Sequence, residues 1–198
     1  MTDILGFPTI SLADGGTNVL TLKAANFAGV TDGATTVYDG ANGNAVLASG
    51  LPAMDAITVH AGAGIDKLTG GAGNDALFAG GKTTMTGKTG ANQFVFSGPG
   101  SANVVADFAA SVQNEIVFSN FGFSLGQSGA SATPQQLPGN LFVENATGKF
   151  TNTTERFADD TANGKLFFAA DGSGSTPELV ATLTNHPELS ASQLFFIT

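Results

Sequence analysis

The side chains with the clearest chemical potential are Asp66, Asp75 and Asn92, each of which ends a glycine-rich run. The three runs are residues 61–65, 70–74 and 87–91. The chemistry available to these side chains is that of oxygen donors. Carboxylate and amide oxygens at the end of a turn accept hydrogen bonds from the backbone of that turn. Ordinary turn capping is therefore one interpretation of both aspartates.

Other residue types that support catalysis are scarce or badly placed. The chain has no cysteine, which removes thiolate catalysis, disulfides and cysteine metal sites. His60 and His186 are the only histidines, and neither lies in a metal-protease motif, so the sequence assembles no zinc site. Ser128 lies in the sequence Gly-Gln-Ser-Gly-Ala, which lacks the final glycine of a nucleophile elbow. The sequence predicts a protein that is not an enzyme.

Short strands in a regular repeat must position the oxygen donors. Large apolar residues recur at intervals of nine, nine, eight and nine residues. They are Val59, Leu68, Leu77, Met85 and Phe94. A three-residue strand buries little by itself, but stacked coils align such side chains into a continuous ladder. The eight-residue interval predicts a local irregularity near residues 83–85.

Composition favours many tight turns and argues against two kinds of partner. Glycine supplies 27 of the 198 residues and proline only 7, which favours turns that tolerate positive φ over rigid stops. A formal net charge of −9, with only seven Lys and Arg residues, argues against nucleic acid as a partner. We expect no membrane span, because no apolar run reaches 18 residues, and no N-terminal export signal.

Residues 62–96 resemble the RTX nonapeptide, G-G-x-G-x-D-x-U-x, in which U is a large apolar residue. Residues 70–78 match this pattern fully, whereas residues 61–69 have alanine for the first glycine. Residues 87–95 depart from it at Lys88 and Asn92. The intervening stretch is one residue short and has Thr84 where an aspartate is expected. Landmarks in the C-terminal half resemble the segment that follows such repeats in substrates of type I secretion. They are residues 106–108, 114–118, 164–174 and 189–197.

The resemblance implies an all-β fold: a parallel β-roll or β-solenoid with short degenerate nonapeptide repeats, followed by an antiparallel β cap. We expect residues 1–60 to form irregular solenoid rungs or an N-terminal cap, and residues 61–108 to form the RTX-like β-roll. Residues 109–198 are expected to form the antiparallel segment, which carries the export signal in this family. Asn-Gly and Asp-Gly turns between its strands favour antiparallel pairing.

The function that the resemblance implies is a non-enzymatic calcium-binding module that supports folding and type I secretion of an extracellular bacterial protein. Its partners would be calcium ions, as the cofactor, and the type I secretion machinery, which would contact the C-terminal segment. The expected location is secreted, extracellular or on the cell surface.

Calcium suits this arrangement because it accepts six to eight oxygen ligands in forgiving geometry, and glycine-rich turns can aim backbone carbonyls inward beside a carboxylate. The expected metal ligands are Gly62, Gly64, Asp66, Gly71, Gly73, Asp75, Gly80, Gly90 and Asn92. One β-roll coil spans two nonapeptides, so loops two repeats apart share an ion. Asp75 is expected to share its site with Asn92. Asp66 would face only Thr84, so we expect its site to be the weaker of the two.

Two alternatives remain open from the sequence. One is a structural or adhesive cell-surface element, such as an S-layer or matrix protein, in which the roll supports self-association; calcium-dependent light scattering would distinguish it. The other is a carbohydrate-binding accessory module, for which polysaccharide is the partner. Residues 94–96 and 118–123 are rich in phenylalanine, but sugar platforms usually favour Trp and Tyr, so we favour a core role for them.

Overall fold

The computed structural model describes residues 8–27, 34–108, 113–126 and 133–198. Within these ranges the fold class is all-β, with seventeen strands, short 3-10 turns and no α-helix. No helix in the described ranges is long and apolar enough to cross a membrane. The strands are β1 (Thr9–Ser11), β2 (Val19–Lys23), β3 (Thr35–Tyr38), β4 (Ala45–Gly50), β5 (Ile57–His60), β6 (Ile65–Thr69), β7 (Ala76–Ala79), β8 (Lys82–Thr86), β9 (Gln93–Phe96), β10 (Asn103–Val105), β11 (Glu115–Ser119), β12 (Gln135–Gln136), β13 (Phe142–Asn145), β14 (Phe157–Asp160), β15 (Lys165–Phe168), β16 (Glu178–Leu183) and β17 (Leu194–Ile197).

Consecutive strands from β1 to β11 alternate between two sheets. Among these eleven strands, the odd-numbered ones belong to an eight-stranded sheet, which we call sheet A, and the even-numbered ones belong to the nine-stranded sheet B. Neighbours within each sheet pair in parallel along this part of the chain. Each coil of the chain therefore contributes one strand to each sheet.

The repeated apolar residues stack as the sequence predicts. In sheet A, Val59 pairs with Leu77 and Leu77 with Phe94, and in sheet B Leu68 pairs with Met85. All five side chains are fully buried in one hydrophobic cluster. The same ladder continues to residues that the repeat search did not include. They are Val37, Val46, Val105 and Ile116.

The prediction of a local irregularity near residues 83–85 is wrong. Strands β6 and β8 stay in register from Ile65 opposite Lys82 to Thr69 opposite Thr86. The loop before β8 is one residue shorter instead. Gly81 in this loop packs so closely that a Cβ would collide with the Ala63 carbonyl oxygen. As a result Asp66 lies opposite Thr83 and not opposite Thr84.

The C-terminal cap is only partly antiparallel. Strands β14, β15 and β16 form the expected antiparallel meander. However, β13 pairs in parallel with β14, β16 with β10 and β17 with β11. Both sheets thus run on from the repeats into the C-terminal segment. Strand pairing is continuous past residues 60 and 108, where we placed segment boundaries.

Phenylalanine side chains join the C-terminal segment to the coils. The Phe118 and Phe157 rings stack with centroids 3.8 Å apart, and Phe123 meets Phe168 edge-on at 5.0 Å. All four are at most 3% exposed, so the predicted core role of Phe118 and Phe123 is confirmed. Phe121, 94% exposed, is the exception in that run.

Candidate metal centre

Loops between the two sheets run along two sides of the coils. Loops that lead from sheet A to sheet B form what we call the first loop edge, and those that lead from sheet B to sheet A form the second loop edge. The first loop edge includes residues 39–44, 61–64 and 80–81; the second includes residues 51–56, 70–75 and 87–92. Predicted ligands at or beside the first loop edge are Gly62, Gly64, Asp66 and Gly80. Those at the second are Gly71, Gly73, Asp75, Gly90 and Asn92.

At the second loop edge, buried Asp and Asn side chains link each coil to the one before it. Asp75 accepts a hydrogen bond from the Ile57 N–H at 2.9 Å, and Asn92 accepts one from the Asp75 N–H at 2.9 Å. Asn114 accepts the next from the Asn92 N–H, again at 2.9 Å. The structure therefore confirms that Asp75 and Asn92 are neighbours in successive coils.

The first loop edge repeats this arrangement with other residues. Asn44 accepts from the Asn18 N–H at 2.7 Å, and Asp66 accepts from the Asn44 N–H at 2.8 Å. Further along, Asn103 accepts from the Thr83 N–H at 3.0 Å. At these three positions a side-chain oxygen accepts a backbone N–H of the preceding coil, where the chain turns into its next strand. Each such bond contributes about 1 kcal/mol to stability.

The two aspartates differ in the second carboxylate oxygen. In Asp75, Oδ2 accepts the Gly71 N–H at 2.7 Å, so both oxygens have backbone donors. In Asp66, Oδ2 is buried and finds no hydrogen-bond partner among the described residues. Burial raises the pKa of both carboxyls, and backbone hydrogen bonds oppose that rise. Asp75 fits a turn-capping role, whereas Asp66 keeps an unused oxygen.

Asn44 and Asn92 hold the position of Asp66 in other coils, and they show what an amide Nδ2 does in place of the carboxylate Oδ2. The Asn44 Nδ2 donates to the Gly40 and Asn42 carbonyls at 3.1 and 2.6 Å. The Asn92 Nδ2 lies 3.3 Å from the Thr89 and Gly90 carbonyls and donates to both. An amide therefore ties its own loop together through N–H groups, which a carboxylate at Asp66 does not have.

Asp39, the first residue of the loop before Asn44, is a second unsatisfied carboxylate at the first loop edge. Its side chain is 6% exposed, and neither carboxylate oxygen has a hydrogen-bond partner among the described residues. Burial, reinforced by the negative charge of Asp66, raises the pKa of Asp39 to about 6. The nearby Asn44 amide lowers this pKa only in part, because its Nδ2 donates to the Gly40 and Asn42 carbonyls instead of to Asp39. Asp39 and Asp66 together leave three buried oxygens without donors.

Sequence reasoning missed Asp39 because Asp-Gly reads as an ordinary turn. A usable signal was present: an Asp, Asn or Thr stands two residues before the inward apolar residue of most strands. Examples are Asn44 before Val46, Asp66 before Leu68, Asp75 before Leu77, Thr83 before Met85, Asn92 before Phe94, Asn103 before Val105 and Asn114 before Ile116. This spacing marks residues 39–44 as a loop of the same kind as residues 61–66, with Asp39 at the position of Ala61.

The remaining candidates do not build a second centre. His60 stacks between the rings of Tyr38 and Phe78, with centroids 4.9 and 4.2 Å away, and burial lowers its pKa. Ser128 lies outside the described residues. Within the described ranges, no three His, Cys, Asp or Glu side chains gather into a metal-holding group. A cation at the first loop edge would therefore take most of its ligands from backbone carbonyls.

Comparison with protein-family models, with curated proteins and with solved structures gives no match for this chain. The class of protein that the fold defines is thus an all-β protein with two largely parallel sheets, and its function has to be argued from the loop edges.

Proposed function

We propose that this chain is a non-enzymatic calcium-binding β-roll module that supports folding and type I secretion of an extracellular bacterial protein. The observation that carries the proposal is the buried Oδ2 of Asp66, which lacks a hydrogen-bond donor inside a glycine-rich loop. The β-roll interpretation is supported by the parallel register of successive coils, such as Leu77 on Phe94. Together, the two observations support stacked loops whose oxygen atoms line one edge of the sheets.

Electrostatics favours a cation at such an edge. A buried carboxylate with one oxygen lacking a donor and with no counter-ion is unfavourable, because that oxygen has lost water and gained no partner. The nearby lysines do not relieve this cost, since Lys67 and Lys82 are exposed while Asp66 is 2% exposed. Calcium offsets the charge and tolerates ligand sets made largely of backbone carbonyls. Calcium is therefore the ligand that the loop chemistry fits best.

Calcium should stabilise this protein without being essential to its fold. Apolar ladders and coil-to-coil hydrogen bonds hold the sheets together independently of metal. Binding only the folded state adds RT ln(1 + [Ca]/Kd), about 2.7 kcal/mol when free calcium is a hundred times Kd. We propose that the apo protein is folded, with a loosened loop around Asp66.

The strand pairing of the C-terminal segment supports secretion of the chain before it folds. Strands β16 and β17 of the C-terminal segment pair with β10 and β11, and Leu183, Leu194 and Phe196 are buried there. An export signal in this segment would be accessible only in the unfolded chain. Calcium outside the cell would then favour the folded state after transport.

The aromatic side chains do not favour the carbohydrate-binding alternative. Phe94, Phe96 and Phe118 are fully buried and offer no ring face to a sugar. On the outer surface, the Tyr38, His60 and Phe78 rings cover one another's faces by stacking. Sugar platforms need an open ring face, so the oxygen-rich loop edge is the better-supported site.

Circular dichroism and thermal unfolding in chelator, in millimolar calcium and in millimolar magnesium test calcium binding. We expect a folded β-protein in chelator and a higher unfolding midpoint with calcium, with a smaller rise for magnesium. No change with calcium would remove the calcium-binding proposal. A chain that is fully unfolded in chelator would contradict metal-independent folding.

Export through a type I secretion system tests the second half of the proposal. Deleting residues 109–198 should abolish export of the chain, whereas deleting residues 1–60, the matched control, should leave it intact. Export that survives the C-terminal deletion would contradict the assignment of the signal to that segment.

A further inference from the structure

We infer that Asp39 and Asp66 jointly bind one divalent cation at the first loop edge, and that this pair, not Asp75 with Asn92, is the principal calcium site. The inference rests on the proposed function, since it names the residues that hold the ion.

The two carboxylates come from successive coils. Strand β3 pairs with β5 so that Tyr38 lies opposite His60, and the Asp39 N–H donates to the His60 carbonyl at 2.8 Å. Asp39 therefore begins the loop that stacks on the loop leading to Asp66. That loop ends at Asn44, whose backbone N–H donates to the Asp66 carboxylate at 2.8 Å, so one short loop joins the two aspartates.

Three of the four carboxylate oxygens of this pair have no hydrogen-bond donor among the described residues. Water does not replace the missing donors, because Asp39 is 94% and Asp66 98% removed from solvent. Two neighbouring carboxylates in that state repel each other and cannot both ionise cheaply. Either a cation or a shared proton must compensate. A divalent cation can satisfy all three oxygens, whereas a shared proton satisfies only the oxygen that carries it and the one that accepts it.

Backbone carbonyl oxygens are closely packed in the loops that carry the pair and can contribute to a ligand shell. Gly62 packs so closely on the preceding loop that a Cβ would collide with the Gly40 carbonyl oxygen and approach the Asp39 carbonyl oxygen at 2.8 Å. A Cβ on Gly80 would collide with the Gly62 carbonyl oxygen in the same way. The first loop edge thus concentrates carbonyl oxygens where glycine alone fits. Calcium accepts such oxygens together with carboxylates.

The second loop edge also packs carbonyl oxygens against glycines, at Gly73 and Gly90, but its aspartate has no oxygen without a donor. Both oxygens of Asp75 already accept backbone N–H groups, from Ile57 and Gly71, at 2.9 and 2.7 Å. A cation there would have to share each carboxylate oxygen with an N–H group, whose positive end repels it. Asp75 is therefore a matched control: a buried aspartate in a full nonapeptide that should not hold the ion.

Isothermal titration of the full chain with calcium chloride, after chelation and buffer exchange, tests the inference. The proteins are the wild type and the isosteric variants D39N, D66N and D75N, each checked for β-structure by circular dichroism. We expect D39N and D66N to weaken calcium binding by at least about tenfold. D75N should leave the affinity nearly unchanged. Should D39N fail to fold, D39S replaces it.

The outcomes separate the inference from the proposed function. Loss of binding in D75N with wild-type affinity in D39N would overturn the Asp39–Asp66 site and leave calcium binding standing. No calcium binding by the wild type would overturn both. Equal losses in all three variants would also overturn the inference, because it requires the two edges to differ.

Discussion

The two loop edges share one architecture but use their aspartates differently. At the second, Asp75 receives an N–H at each oxygen. At the first, Asp66 receives only one, and Asp39 receives none. The difference lies in what the loop backbone presents to the side chain. An aspartate in a glycine-rich repeat is therefore structural where N–H groups face it, and available to a cation where they do not.

Asn92→Ala should have the largest effect on stability. Asn92 is fully buried, accepts the Asp75 N–H and donates to the Thr89 and Gly90 carbonyls. Losing these partners and leaving a cavity should cost about 3 kcal/mol, with or without calcium. Urea unfolding measures it. Asn74→Ala is the control, since Asn74 is exposed and its Oδ1 accepts one hydrogen bond from the Ala91 N–H. Equal losses would contradict a structural role for the buried column.

Asp159 in β14 sharpens the comparison, because it is a buried carboxylate outside the residues of both loop edges. Burial is the main cause that raises its pKa to about 6, and one of its oxygens has no donor in the described structure. The folded state then holds a proton that the unfolded state has lost. The contribution of Asp159 to stability in chelator should therefore fall by roughly 2 kcal/mol as pH rises from about 4 to 6.

Thermal unfolding across that pH range in wild type and D159N measures the contribution. The variant should lose less stability as pH rises, since its amide does not titrate. An identical slope in the two proteins would show that Asp159 does not govern this dependence.

D75N should destabilise the apo protein by about 1–2 kcal/mol. An asparagine can accept either the Ile57 or the Gly71 N–H, but its NH₂ group then faces the other donor. Chemical denaturation in chelator measures the loss. A variant as stable as the wild type would show that the Gly71 hydrogen bond contributes little.

D66N should have the smallest effect and the opposite sign, with a gain of about 1 kcal/mol in chelator. Its amide would keep the bond to the Asn44 N–H and supply donors to its own loop, as Asn44 does. The same experiment in calcium should reverse the order, because the wild type gains the ion. Destabilisation of apo D66N would contradict the claim that Asp66 carries an unfavourable buried charge.

The repeated core was predictable because a parallel coil needs an inward apolar residue at the same phase in each turn. That requirement is local, so Leu68, Leu77, Met85 and Phe94 were identified correctly. The spacing could not show where a deleted residue would be absorbed; the loop at Gly80 and Gly81 absorbed it, since strand register is costlier to change. The return of β16 and β17 to the two sheets depends on long-range pairing that local turn signals do not encode.

The candidate site was predictable only in outline. Glycine-rich loops and their aspartates were found from residue types and spacing. The ranking of Asp75 over Asp66 rested on Asn92 as a second oxygen ligand, yet the Asn92 oxygen accepts the Asp75 N–H. Whether a loop turns an N–H or a carbonyl toward a carboxylate depends on peptide orientation, which residue type does not fix. Calcium binding itself stays a prediction.

Long-wavelength anomalous diffraction from crystals grown with calcium tests the central claim most directly, because it locates the ion itself. The account predicts a calcium peak between the carboxylates of Asp39 and Asp66, and none in contact with Asp75. A peak between the loops of Asp75 and Asn92, with none at Asp39, would contradict it.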